Sequence, residues 1–186
     1  MKLVTYDAID VISNAKRIGI PTDYSDTLLN FVKEYRHKVK EKDLQDINWI
    51  ACKFLDKKTC YYYTWWCVNE IKHLMKDKRC VKAVDTLKLY IDGKATIKEL
   101  EVAADNANLA NNPGMDINYY GNRNVLSAAY RVIIAPVQDD GFSSGVAARA
   151  VCDAAVAVGY EADDNDAEVK QSNLQIDKLI EILESK

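Results

Sequence analysis

From residue 95 onward, the positions that should build a core are mostly alanine. Ala103, Ala104, Ala107 and Ala110 recur at helical spacing, and so do Ala147, Ala148, Ala150, Ala154, Ala155 and Ala157. Alanine is the best helix former and the poorest filler of space. A chain that buries it must bring helix axes close together, so that ridges and grooves mesh at short range. Strands have no such use for it. Only seven glycines and three prolines interrupt the 186 residues.

Apolar residues elsewhere keep the same period. Leu28, Val32, Tyr35 and Val39 form one stripe, and Ile47, Ile50 and Phe54 another. Val81, Val84, Leu87 and Ile91 form a third, and Val169, Ile176, Leu179 and Leu183 a fourth. Each marks the buried face of an amphipathic helix. Punctuation divides them. Gly19-Ile20-Pro21-Thr22-Asp23 ends one helix and caps the next, and Asp92-Gly93 ends the one after Val81. Thr96 with Glu99 is a capping box. Asn111 to Gly114 and Asp139 to Gly141 are breaks. Ser143 or Ser144 caps a helix reaching about Val158, and the acids from Asp163 to Asp166 open the last helix. Asn124 to Val137 reads as a central helix that Pro136 should end or kink, although Val132-Ile133-Ile134 could make a strand. The expected fold is all-α: a single bundle of seven or eight helices with an alanine-rich C-terminal half. Residues 1–42 are set apart as an N-terminal helical appendage and 43–186 as the bundle domain.

Charge is uneven. Residues 1–94 carry 18 Lys and Arg against 13 Asp and Glu, whereas residues 95–186 carry seven against 15. Acids interleave the basic run around Lys33, Arg36 and Lys40, as on a solvated helix face. No recognition motif accompanies it, so nucleic acid is not the expected partner. No apolar run is long enough to cross a membrane. The first acid, Asp7, comes too early for a signal peptide, so a cytoplasmic location is expected.

The five cysteines suggest thiols packed as small apolar groups. Cys60, Cys67, His73 and Cys80 lie close in sequence, but no pair has the spacing of a compact zinc site, so no metal is expected. His37 should face solvent and His73 should be buried in packing. No nucleophile signature surrounds either histidine, and no cofactor is implied. Asp139-Asp140 and Asp163-Asp164-Asp166 suit helix starts better than a carboxylate active site. Gly141 to Gly145 superficially offers a phosphate loop but lacks the Gly-Lys-Ser/Thr ending.

The most unusual segment is Tyr61-Tyr62-Tyr63-Thr64-Trp65-Trp66. A helix spreads five aromatics over half its circumference or more. They are either a thick core or a partly exposed interface, because both uses exploit rings with an apolar body and a polar tip.

The run Trp66 to Met75, then Asp77 to Asp85, then Gly93, resembles a bacterial and phage family of alanine-rich helical immunity proteins over about residues 60–185. Cys67, Leu74, Asp77, Arg79, Ala83, Val84, Asp85 and Gly93 match its pattern. Cys80 stands where the family usually has proline, and Val68-Asn69 replaces Ala-Glu. The resemblance implies a non-catalytic protein that binds and neutralises another macromolecule, a toxin or defence effector. Contacts would come from the aromatic segment and a charged face. The alternative is a phage-encoded anti-defence protein, as a homo-oligomer, that sequesters a small nucleotide-like anion. Within the motif, Asp77 should cap a helix while Arg79 reaches Asp85 or an acid of the other half.

Overall fold

The computed structural model describes residues 26–38, 44–110, 123–137 and 143–186. Among them are eight α-helices and no strand. They are α1 (Asp26–Arg36), α2 (Leu44–Phe54), α3 (Lys57–Glu70), α4 (Lys78–Ile91), α5 (Ile97–Ala110), α6 (Arg123–Val137), α7 (Ser143–Ala162) and α8 (Asn165–Glu184). A 3₁₀ turn, Lys72–Leu74, joins α3 to α4. The breaks expected at residues 19–23, 111–114 and 139–141 lie outside the described residues, as do Val39 and Lys40.

Local chemistry explains the helix ends. Asp56 caps α3 by accepting from the Thr59 amide at 2.9 Å, and Asp77 caps α4 by accepting from the Arg79 amide at 2.8 Å. Gly93 takes φ +71°, which lets its amide reach Tyr90 O at 3.0 Å and the Lys94 amide reach Leu89 O at 2.7 Å. That pair of bonds closes the end of α4 as a Schellman motif. Thr96 and Glu99 then make the capping box: the Thr96 amide donates to Glu99 Oε2 at 2.7 Å, and the Glu99 amide to Thr96 Oγ1 at 3.3 Å. Val132-Ile133-Ile134 is helical, and α6 stops one residue after Pro136, which donates no backbone bond. Helix α7 runs to Ala162, past the expected end near Val158, because Asp163 can adopt φ +50° there. Asp164 caps α8.

Two clusters fill the interior. The first draws on α1, α2, α3, α7 and α8 and holds Phe31, Tyr35, Tyr61 and Tyr63. The second draws mainly on α4, α5, α6 and the other face of α7. Helix α7 is the wall between them. Ala147, Ala148 and Val151 face the first cluster, and Ala150, Ala154 and Ala157 the second. Every alanine expected in the core is buried. Helix α1 buries Leu28, Phe31, Val32 and Tyr35 in the first cluster. The last stripe needs correction: Val169 and Leu183 are only half-buried, while Ser172 and Gln175 are interior.

Candidate interaction surface

Helix α3 carries the aromatic run and divides it. Tyr61 and Tyr63 are buried, whereas Tyr62, Trp65 and Trp66 are half-buried. Tyr63 belongs to an interior polar network. Its hydroxyl donates to Asn48 Oδ1 at 2.8 Å and lies 3.2 Å from Gln175 O. Asn48 Nδ2 donates to Gln175 Oε1, and Gln175 Nε2 to Val151 O, both at 3.0 Å. Burial pushes the Tyr63 phenol well above its ordinary value, so it stays neutral.

Cys52, Cys60, Cys67 and Cys80 are buried and Cys152 half-buried, all unpaired. Burial raises Cys67, lifts Cys152 to about 12 and lifts Cys80 to about 11. Cys52 is raised first by its hydrogen bond with Cys60 and then by burial. Cys52, Cys67, Cys80 and Cys152 are held as thiols, the form that packs rather than attacks. Among the described residues, no three His, Cys, Asp or Glu side chains are grouped to hold a metal ion.

The solvent side of α3 is different. The rings of Tyr62 and Trp65 stand 5.7 Å apart, and Lys88 of α4 places its ammonium 5.3 Å from the Trp65 ring. The same ammonium pairs with Asp92 and holds that carboxyl below its usual value. The indole Nε1 of Trp65 is itself buried and has no acceptor among the described residues. Tyr62 and Trp66 both pack their inner sides on the first cluster and Trp65 on the second, and Lys178 stands 5.7 Å from the Trp66 ring.

Other candidate residues have structural partners. Lys33 pairs with Glu184 and Arg36 with Asp177, fastening α1 to α8. Cys67 is interior, and Gly93 closes α4 as described above. Arg79 does not reach Asp85 or the other half: its guanidinium turns back on Asp77 at 2.7 Å, and Asp85 pairs with Lys72. The short reach to its own cap makes the nearer carboxylate the better partner, and the Arg79 hydrogen bond lowers the Asp77 pKa. His73 is exposed, not buried, because it falls on the 3₁₀ turn, where its Nδ1 lies 2.9 Å from Glu70 O. His37 faces solvent. Asp153 meets Arg131 at 2.8 Å, yet its pKa is raised, because burial outweighs the neighbouring guanidinium.

One feature of the surface escaped sequence reasoning. Helices α4 and α5 enclose an open groove of about 500 Å³ whose walls include Lys82, Leu89, Lys94, Lys98 and Val102. Leu89 is 45% exposed and Val102 56%. Both were visible as apolar residues off the buried stripes of their helices. Lys82 and Leu89 lie seven apart, and Lys98 and Val102 four apart, so each pair shares one helix face.

Comparison with protein-family models, with curated proteins and with solved structures finds no match for this chain.

Proposed function

We propose that this chain is a non-catalytic binding protein of the immunity or inhibitor type, which neutralises a toxin or defence effector by direct binding. The observation that carries the reading is the Tyr62–Trp65 pair. Helix α3 meets its core demand with Tyr61, Tyr63, Cys67 and Val68, yet keeps two more large rings only half-buried, with Lys88 beside Trp65. Tyr and Trp dominate the centres of protein interfaces because they offer wide, rigid, amphipathic area at small entropic cost. The resemblance of residues 60–185 to immunity proteins supports the same class. A second reading, sequestration of a small nucleotide-like anion, draws support from the three lysines of the α4–α5 groove.

The test begins with affinity purification from the native host, followed by growth rescue. A captured effector that arrests cells when expressed alone should be tolerated when this chain is co-expressed. Trp65→Ala or Tyr62→Ala should then weaken the effector by about 2 kcal/mol and abolish rescue. Each variant should keep a cooperative melt. Should both melt early, with no affinity defect once folded, the rings are core and the reading fails.

A further inference from the structure

The α4–α5 groove is a separate surface that uses neither Tyr62 nor Trp65, so it stands independently of the reading above. Leu89 and Val102 put aliphatic surface in water there. Lys82, Lys94 and Lys98 border them, and none of the three forms an ion pair among the described residues. Asp92 is engaged by Lys88, and Glu99, which lines the groove as well, is held ionised by the amide and hydroxyl of Thr96. The result is an apolar strip with a net positive border, three lysines against the one Glu99 carboxylate. Lys82 to Leu89 spans about 10 Å of helix, roughly two turns.

We propose that this groove docks an amphipathic helix of a partner protein, with aliphatic residues on its inner face and Asp or Glu along its flanks. Helices dock in such grooves through apolar residues at i, i+3 or i+4, and i+7. Carboxylates on the flanks meet the three lysines and fix the register, since complementary charge sets orientation and speeds encounter. A small anion would use the lysines but leave Leu89 and Val102 wet. A second copy of this chain offers exposed Leu174 of α8 with Asp177 and Glu181 on the same face, but those acids already pair with Arg36 and Lys178.

The probe is a library of random peptides of about 16 residues displayed on filamentous phage and selected on the full chain. Enriched peptides should carry the i, i+3 or i+4, i+7 apolar pattern with acidic flanks. A labelled synthetic copy of the best peptide, followed by fluorescence anisotropy, should lose about tenfold or more in affinity to Leu89→Asp. The loss should be similar for the double change Lys94→Glu with Lys98→Glu. Added salt should weaken the peptide's binding. The altered side chains are exposed, and far-ultraviolet circular dichroism checks that the helices persist. No enrichment, acid-free winners, or a winner indifferent to the groove variants overturns the proposal. So does self-association of the wild type that the Lys94/Lys98 change abolishes, which assigns the groove to a second copy. Displacement of the peptide by adenosine triphosphate, with triphosphate binding intact in Leu89→Asp, makes it an anion site instead.

Discussion

The two clusters on either side of α7 solve the same packing problem with different side chains. In the alanine-rich cluster, ten of 21 buried members are alanine and none is aromatic. In the aromatic cluster only four of 21 are alanine, and Phe31, Tyr35, Tyr61 and Tyr63 supply the bulk. Large rings bury much apolar area each but bring phenol groups that must be satisfied in the interior. That side accordingly holds the Tyr63–Asn48–Gln175 network. Alanine brings no polar debt and little area. It stabilises through close helix approach. One side should therefore be most sensitive to lost polar partners and the other to added volume.

The largest expected effect tests the network. Gln175→Leu strands Asn48 Nδ2 in the interior, while Val151 O keeps its helical partner, and should cost about 3 kcal/mol in urea unfolding. Replacing the set together, with Asn48→Leu, Gln175→Leu and Tyr63→Phe, should recover part of that loss, because no orphaned partner remains. Equal or greater loss in the triple variant would show that shape, not hydrogen bonding, governs this cluster. Next comes volume. Ala154→Leu, at a fully buried position of α7, should cost about 2 kcal/mol through overpacking. An unchanged melting midpoint would mean the alanine side has slack, and the contrast would collapse.

Helix-end chemistry should matter less than either. Asp77→Ala removes the cap of α4 and should cost about 1 kcal/mol at neutral pH. Arg79 holds the folded Asp77 pKa below its unfolded 3.8, so the contribution is complete above that value. It is lost as pH falls through the lower folded pKa, and wild type and variant should converge in acid below it. A difference that persists in acid would point to packing instead of charge. The smallest effect is expected at the exposed Lys33–Glu184 pair. Lys33→Ala should change stability by about 0.5 kcal/mol or less, and added salt should erase the difference.

The sequence alone determined the helical class and, among the described residues, the ends at Asp77, Gly93, Thr96 and Asp164. Helical hydrogen bonds, caps and the turn at Gly93 link residues at most six positions apart, so spacing and residue type suffice to locate them. It also marked the buried alanines, because a 3.6-residue period assigns each position to a face. Tertiary structure decided what depends on two helices meeting. The sequence offered Asp85 to Arg79, and only the fold gave it to Lys72 instead. Gln175 reads as a surface residue until α2, α3 and α8 converge on it. The aromatic run could be apportioned between core and surface only after α4, α6 and α7 had packed on α3, burying Tyr61 and Tyr63 and leaving Tyr62, Trp65 and Trp66 half-buried. The groove exists only because α4 and α5 fold back on each other, placing Leu89 and Val102 among lysines that lie up to 16 positions apart in the chain. Such contacts are set by the packing of whole helix faces, and no local pattern encodes which face meets which.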